Sequence, residues 1–319
     1  MTIQEPGTEV LCPPGGVLWT DETCVPAGLV DAPATWVMDV ALPVTAVVFL
    51  AVMVVACVRR RSLTWWMLLS LASASVFWLE AFGDWGQHLM FSPEFAHYTL
   101  DWKWAGRHNP YWMPLMYAVY WVAHAWAILR LAQWLQRKRP GMSLGMAILI
   151  LSAPVTWVWN LVIEGIAAYL GWWTYEPPVG PFFDLGRGNW PLLWPALVVW
   201  GWINLMAWMV GPPEEENRLN RLERLFRLDR LLVRPGWSRA PIDQRASATA
   251  KHGQGAVVDS RTVVGSLAID ELDPTMGTVR FQFVRLCAWI IFSQVTFAFF
   301  GAVIIGVRLI FGFDSAFQP

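Results

Sequence analysis

The chain has 319 residues, of which 56% are hydrophobic and only 15% are charged. That composition is too apolar and too poor in charge for an ordinary soluble domain. The formal net charge of -1 gives no indication of a nucleic-acid partner, and none is expected. Only helices and closed barrels satisfy their backbone hydrogen bonds in lipid, and barrel-type alternation is absent. The sequence therefore predicts an all-α, polytopic membrane helix bundle.

Six apolar runs are candidates for spans, since crossing about 30 Å of hydrocarbon takes roughly 20 residues as a helix. They cover residues 36–58, 63–82, 110–135, 144–170, 190–210 and 281–311. We therefore expect about six transmembrane helices. The predicted division is a tail over 1–35, a five-helix core with two long loops over 36–212, and the sixth transmembrane helix with the C-terminus over 280–319.

The basic residues predict the orientation, because cytoplasmic loops retain Lys and Arg near the ends of the spans. Basic clusters follow the first span at 59–61 and the third at 137–139, and most of the remaining arginines lie between the fifth and sixth spans. The opposite side carries only Lys103, Arg107 and Arg187. We predict a plasma-membrane protein with both termini outside and residues 213–279 in the cytoplasm.

The predicted cytoplasmic segment has two parts. Over 213–236, Leu219, Leu222, Phe226 and Leu232 fall near one helical face among arginines, which is typical of an amphipathic helix at the membrane interface. Over 237–279 the chain is rich in Ala, Ser, Gly and Thr and has few large apolar residues. Such a composition predicts a flexible linker.

Four cysteines are present, and Cys12 and Cys24 fall in the predicted external tail. A disulfide between them and two free thiols are both open at this point. Cys57 and Cys287 lie in or beside spans, where they are expected to pack as small apolar groups. No spacing in the sequence is typical of a metal site, and neither a metal nor another cofactor is expected.

Ionisable residues inside spans are costly in lipid, so they mark functional sites by default. Glu80, Asp84 and His88 recur at the outer end of the second span with a spacing of four, which places them on one helical face. Asn160 and Glu164 have the same spacing in the outer half of the fourth span. Because both spans run outward, we expect Glu80 and Glu164 to reach the same depth and to share a pocket.

Aromatic and polar residues surround these acids in the sequence. His124 lies about midway along the third span, one to two turns after Tyr117 and Tyr120, and an aromatic stretch follows Glu164. The predicted substrate-binding residues are His88, Asn160, His124, Tyr117, Tyr120, Trp157, Trp173 and Tyr175. The partners expected for such a site are a lipophilic small-molecule substrate and the lipid bilayer, and the sequence leaves open whether the chain has protein partners.

The acids Glu80, Asp84 and Glu164 are the predicted catalytic residues. A carboxyl group away from water tends to hold its proton, and a protonated carboxyl beside an ionised one supplies a general acid and a base in a dry site. Acid-initiated cyclisation uses such a pair, with aromatic walls that exclude water and stabilise developing positive charge. The alternative is that these residues make polar contacts that fix helix packing.

Three stretches resemble those of a known family. FWLEAFGDWGQH ends the second span, HNPYWMP begins the third, and WNLVIEGIAAYLGWWTY closes the fourth, ahead of a Gly/Pro/aromatic loop and NWP. In this layout, over about residues 36–212, the chain resembles the AveC-like spirocyclase family of actinobacterial membrane proteins. The resemblance implies a cyclase of secondary metabolism that closes a dihydroxyketone into a spiroketal with loss of water. The roles given to the three acids come from the burial argument and not from the resemblance.

Other functions stay open on the sequence alone. Acids among aromatic residues in membrane helices are also similar to those of integral membrane terpene and carotenoid cyclases, which protonate an alkene or an epoxide. A small-molecule transporter and a noncatalytic subunit of a membrane assembly are the alternatives of another class. No strong internal repeat and no polar row through to the inner face are apparent, which disfavours transport.

Overall fold

A computed structural model describes residues 12–19, 23–100, 102–106, 108–211, 219–232, 278–312 and 314–317. The predicted linker lies outside the described residues up to position 277, as do the first eleven residues of the predicted tail. The described part of the chain is mostly helical, as the sequence predicts.

The described α-helices follow the predicted spans in chain order. They are α1 (Leu42–Arg60), α2 (Trp65–Ala74), α3 (Phe77–Gln87), α4 (Met113–Lys138), α5 (Leu144–Leu170), α6 (Trp194–Val210), α7 (Arg221–Leu225) and α8 (Val279–Phe311). A turn of π-helix, Val37–Ala41, leads into α1. Thr64, Ser143 and Thr278 cap α2, α5 and α8 by accepting backbone N–H groups of the first turn.

Four helices are long and apolar enough to cross a membrane, or five if the bent pair α2 and α3 is one span. These four are α4, α5, α8 and the stretch from 37 to 60 that contains α1. The helix α6 is a shorter apolar helix. The sequence therefore predicts where the apolar helices lie, but the second and fifth predicted spans differ from simple full-length helices.

The bend between α2 and α3 measures 57° and has a visible cause. Ser75 and Val76 interrupt the helix, and Val76 has φ -90° and ψ 1°. The break frees the Ser75 carbonyl, and the Gln294 side chain of α8 donates a hydrogen bond to it at 2.7 Å. A broken helix is tolerated at membrane depth where neighbouring side chains satisfy the backbone in this way.

The helices pack around one apolar core. The pair α2 and α3 contacts α4 and α8, and α5 lies between α4 and α6. Trp202 of α6 and Trp289 of α8 are among the largest fully buried side chains. Gly86 of α3 lies close against α8, since a Cβ atom at this position would lie 2.7 Å from Ile304.

Short strands join the loops at one end of the bundle. They are β1 (Gly16–Leu18), β2 (Cys24–Pro26), β3 (Leu89–Phe91), β4 (His97–Tyr98), β5 (Asn109–Pro110), β6 (Trp173–Tyr175), β7 (Phe182–Asp184) and β8 (Asn189–Pro191). They pair antiparallel as β1 with β2, β3 with β6, β4 with β5 and β7 with β8. The sequence analysis does not predict these strands, and they fasten the two long loops to each other and to α3 and α5.

The N-terminal segment covers the same end of the bundle. Cys12 and Cys24 form a disulfide bond, which decides the question that the sequence leaves open. The Ser92 hydroxyl donates a hydrogen bond to the Leu29 carbonyl at 2.7 Å, so the segment is held on the first long loop. Phe317, near the end of the chain, packs against the same small core as Leu29. Both described ends of the chain therefore lie on the side of the long loops.

The arginine-rich segment at the opposite end differs from the prediction of one amphipathic helix over 213–236. Residues 213–218 and 233–236 lie outside the described residues, and the described part forms the five-residue α7 and a 3-10 turn, Leu228–Leu231. Arg227 separates them with φ 59°, which is left-handed backbone. The helix breaks because Leu219, Leu222, Leu228 and Leu232 all turn into the helix bundle, where they are buried.

Candidate functional site

A cavity of about 90 Å³ lies between α3, α4, α5, α6 and α8, next to the strand β6. Two of the three predicted acids, Glu80 and Glu164, line it. The rest of the wall is largely aromatic and aliphatic. The aromatic lining residues are Phe91, Trp112, Tyr117, Tyr120, Trp121, Trp173, Tyr175, Trp202, Phe297 and Phe300.

Glu164 is held by two donors from β6. Its Oε2 atom accepts a hydrogen bond from Trp173 Nε1 at 2.7 Å and one from the Tyr175 hydroxyl at 3.0 Å. Burial, and then the Glu164 carboxylate, raise the pKa of Tyr175 well above its usual range, so that hydroxyl stays a donor. An indole N–H and a neutral phenol both donate, so this pair provides the hydrogen bonds that a carboxylate would receive from water.

Glu80 lies among other acids and tyrosines. The Tyr117 hydroxyl lies within hydrogen-bonding reach of its carboxyl group, and both Asp84 and Glu164 are close enough for their charges to interact with it. Burial, followed by the Asp84 and Glu80 carboxylates, raises the pKa of Tyr98 to about 12. The field of the acids therefore reaches the half-buried Tyr98 in the loop.

Asp84 stands one turn beyond Glu80 and behind the cavity wall. It is 1% exposed, and it is in contact with Glu80 and Gln87 but does not line the cavity. The prediction that all three acids converge on one cavity is thus met by the two glutamates, and Asp84 reaches the cavity only through Glu80. Within the described residues, no arginine or lysine forms an ion pair with any of the three.

Four residues predicted to bind substrate do not line the cavity. Asn160 Nδ2 donates to the Pro191 carbonyl at 3.4 Å, and Trp157 Nε1 donates to the Leu192 carbonyl at 3.1 Å, so both hold the chain that leads into α6. His88 ends α3 in left-handed backbone with φ 61°, and its Nδ1 lies 2.9 Å from the Pro177 carbonyl. These contacts are explained by loop anchoring.

His124 is the fourth of these residues and lies one layer deeper than the cavity. It is 0% exposed, and its ring stands 4.6 Å from Tyr120 and 4.5 Å from Trp159 between centroids. Neither of its ring nitrogens makes a hydrogen bond within the described residues. Tyr120 separates it from the cavity, so the arrangement does not give His124 direct contact with a molecule held there.

The sequence analysis misses the contribution of α8. Phe297, Phe300, Gly301 and Ile304 form one wall of the cavity. All four lie in a 33-residue helix with long apolar stretches, in which composition does not distinguish the side that faces the cavity from the side that faces away from the bundle. Their spacing of three and four is the one signal that could have placed them on a common face.

In the part of the chain that the structure describes, no group of three or more His, Cys, Asp or Glu residues is placed to hold a metal ion. Comparison of the chain with protein-family models, with curated proteins and with solved structures finds no match.

Proposed function

We propose that the chain is a membrane-embedded acid–base catalyst that closes a ring on a lipophilic substrate with loss of water, in the manner of an AveC-like spirocyclase. The observation that carries the proposal is the pair Glu80 and Glu164 in one aromatic-walled cavity, with no basic partner within the described residues. Two carboxyl groups in one aromatic-walled cavity supply the acid and the base that such a reaction uses.

The hydrogen bonds and neighbours of the two glutamates support different roles for them, Glu164 as the base and Glu80 as the acid. Trp173 and Tyr175 both donate to Glu164 and so suit its carboxylate form, which serves as the base. Glu80 has Asp84 beside it, and repulsion between two neighbouring carboxylates favours a protonated carboxyl group, which makes Glu80 the acid.

Ring closure takes two steps between the same two glutamates. Glu164 takes the proton of a substrate hydroxyl as that oxygen adds to a ketone carbonyl, and Glu80 protonates the carbonyl oxygen to give a hemiketal. Glu164 then returns its proton to the new hydroxyl, which leaves as water. A second substrate hydroxyl adds to the resulting oxocarbenium ion and loses its proton to Glu80, so both glutamates return to their starting states. Tyr117, Tyr120 and Trp173 present their rings to that cation, which aromatic faces stabilise.

The size of the cavity restricts what part of the substrate lies between the acids. Its volume of about 90 Å³ is smaller than that of typical pockets for drug-sized ligands, so it holds only a fragment of a long-chain substrate. It encloses the reacting ring of a substrate once the side chains of α8 adjust, and the remainder of a long apolar molecule then extends toward lipid. Exclusion of bulk water favours the dehydrated product.

The proposal includes six crossings of the plasma membrane with the long loops outside. The bent pair α2 and α3 begins near Leu63, which contacts Arg285 at one end of the bundle, and ends at Gly86, which contacts Ile304 at the other. The helix α6 begins just after Pro191, whose carbonyl accepts a hydrogen bond from Asn160. It ends just after Trp208, whose carbonyl accepts a hydrogen bond from Arg221. The Cys12–Cys24 disulfide supports an oxidising exterior for the loop side.

The test begins with the cell because the substrate has to be found. Lipid metabolites of a deletion strain are compared with those of strains carrying the wild-type chain, Glu80→Gln, Glu164→Gln and, as a control, Glu94→Gln at an exposed position outside the cavity. We expect one lipophilic compound to accumulate in the deletion strain and in both cavity variants, with loss of a product 18 mass units lighter, which is the mass of one water.

Two other results would contradict the proposal. Full conversion by both cavity variants, as folded and monodisperse protein, would remove the acid–base role. A compound that changes sides of the membrane without changing mass would instead indicate a transporter.

A further inference from the structure

A second feature of the loop end lies on the outer surface of α3, on the far side from the cavity. Trp102, Lys103 and Trp104 are exposed in a turn, and with Phe82 of α3 they line a shallow groove of about 360 Å³. We name these four residues the Trp-Lys patch. Trp102 is 66% exposed and Trp104 is 50% exposed, which is unusual for indole rings unless something apolar covers them.

The patch is fixed in place by the backbone. The Gly106 amide donates a hydrogen bond to the Ala81 carbonyl of α3 at 2.7 Å, and the Ala105 amide donates to the Trp102 carbonyl at 3.2 Å. Ala105 and Gly106 are buried beneath the turn. Three large side chains are therefore presented outward by a short turn that is anchored to a helix.

The patch continues the apolar surface of the helix without a gap. The Trp102 ring lies 5.3 Å from the Phe82 ring, and the Phe82 ring lies 6.2 Å from the Trp78 ring one turn earlier in α3, both in edge-on contact. Trp78 is 43% exposed on a helix that forms part of a candidate span. An aromatic row that rises from lipid-facing helix to loop marks the level of the lipid headgroups.

Lys103 places a positive charge at the level of the lipid headgroups, between the indole rings of Trp102 and Trp104. An ammonium group at the headgroup level is attracted to phosphate, and most strongly to a lipid with net negative charge. The rings on either side provide apolar area for the glycerol and upper acyl chain of the same lipid. Charge complementarity and continuity with the lipid-facing helix thus point to the same occupant.

We propose that the Trp-Lys patch binds the headgroup of an anionic phospholipid in the leaflet at the loop end of the bundle. Lys103 contacts the phosphate, and Trp102 and Trp104 contact the glycerol and the first methylene groups. This site is separate from the cavity of Glu80 and Glu164 and does not depend on the function proposed for it.

The test uses the full chain, purified and stripped of lipid in detergent, and titrated with phosphatidylglycerol or phosphatidylcholine under native mass spectrometry. We expect Lys103→Gln to weaken binding of the first phosphatidylglycerol roughly fivefold, the effect of one lysine at a membrane surface. The matched control is Lys138→Gln, which removes an exposed lysine at the opposite end of the bundle and should leave that binding within about twofold.

Further variants separate recognition of the lipid headgroup from nonspecific hydrophobic binding. The double variant Trp102→Leu and Trp104→Leu keeps apolar area and loses the rings, and we expect it to weaken binding of phosphatidylglycerol as well. Equal affinity of the wild-type chain for both lipids would overturn the proposal, as would unchanged binding in Lys103→Gln or the same loss in Lys138→Gln. Melting curves establish that each variant is folded.

Discussion

Gly301 and Gly306 lie in the same helix, α8, and differ in which surface they belong to. A Cβ atom added at either position meets nothing within 4 Å, but Gly301 lines the cavity with Glu80 and Glu164 and Gly306 does not. Gly301 and Gly306 therefore form a matched pair of positions that separates loss of cavity space from loss of folding.

We predict that Gly301→Leu abolishes turnover and that Gly306→Leu retains it. A leucine at 301 fills a space of about 90 Å³, whereas the helix itself gains from the substitution, because leucine is a better helix former than glycine by up to ~1 kcal/mol. Product formation per folded molecule is the measurement, with melting temperature as the control. Equal turnover in the two variants would mean that the reaction takes place elsewhere.

Glu176 gives a prediction about pH in the loop beside β6. Burial, followed by the charge of Asp184, raises the pKa of Glu176, while the hydrogen bond from Asn189 at 2.9 Å lowers it. In the unfolded chain its pKa is near the usual 4.5. Because the folded state holds the proton more tightly, this group makes the chain more stable as the pH falls through the raised pKa and less stable as the pH rises through it.

We therefore predict that Glu176→Gln flattens the pH dependence of stability above pH 4.5. Glutamine still accepts a hydrogen bond from Asn189 but carries no charge near Asp184. Hydrogen exchange of residues 171–189 in detergent, followed from pH 5 to 8, measures the effect locally. Asp184→Asn should reduce the slope in the same direction, and a variant slope as steep as that of the wild type would contradict the assignment.

At the scale of elements, the packing of α3 on α8 depends on one glycine. A Cβ atom at Gly86 would lie 2.7 Å from Ile304 Cγ2 and 3.2 Å from the Ile305 amide nitrogen, whereas one at Gly83 meets nothing within 4 Å. Small residues let membrane helices approach closely, and their enlargement separates the helices.

Gly86→Ala should therefore destabilise the chain by about 1–3 kcal/mol, the usual effect of overpacking, whereas Gly83→Ala should not. Denaturation in mixed detergent micelles measures both. Similar stability of the two variants would show that the helices adjust freely. The sequence places both glycines between the acids of the second span, but it does not indicate which of them touches a neighbour.

That difference shows what the sequence could and could not predict. Hydropathy locates the apolar helices because lipid accepts little else, and the spacing of four places Glu80 with Asp84. Asn160 shares a helical face with Glu164, yet it contacts the Pro191 carbonyl because a neighbouring backbone covers that depth of the face. Periodicity identifies a face, and only tertiary packing determines what each level of it meets.

Helical periodicity predicts neither the loop strands nor the cavity wall formed by α8, because both depend on tertiary packing. The strands β3 and β6 are three residues each and pair across about eighty positions, with Phe91 opposite Trp173. Pairs this short depend on the helices that bring them together and not on their own propensity. The sequence predicts Trp173 and Tyr175 as site residues, but their hydrogen bonds to Glu164 depend on the position of β6 and could not be predicted.

On the scale of the whole molecule, one buried ion pair closes the end opposite the loops. Glu223 of α7 is 0% exposed and accepts hydrogen bonds from Arg285 Nε at 2.9 Å, from Arg285 Nη2 at 2.7 Å and from Trp289 Nε1 at 3.2 Å. Arg285 also donates to the Leu63 carbonyl at 3.0 Å. The pair thus joins α7, α8 and the connection between α1 and α2.

Removal of one partner should be costly and removal of both less so. We predict that Arg285→Met destabilises the chain by about 3–5 kcal/mol, because it leaves the Glu223 carboxylate buried and unpaired. Addition of Glu223→Gln to that variant should recover part of the loss. A double-mutant cycle by denaturation measures the coupling, and a double variant no more stable than Arg285→Met would contradict the explanation.

The last prediction concerns how the whole bundle lies in the membrane. The N-terminal segment, both long loops and the C-terminal segment meet at one end, where Gly16 lies against Phe317 and the Ser315 hydroxyl bonds the Glu176 carbonyl. The basic clusters at 59–61 and 137–139 lie at the other end.

Because Lys and Arg are retained in the cytoplasm, a reporter fused after Gln136 should report cytoplasm and one near Glu94 should report the outside. A reporter near Ala250, which lies outside the described residues, should agree with the one after Gln136. The three fusions test one arrangement, since an even number of crossings places both ends of the chain with the loops. A cytoplasmic signal at Glu94 would reverse the orientation, and opposite signals at Gln136 and Ala250 would remove one of the six proposed crossings.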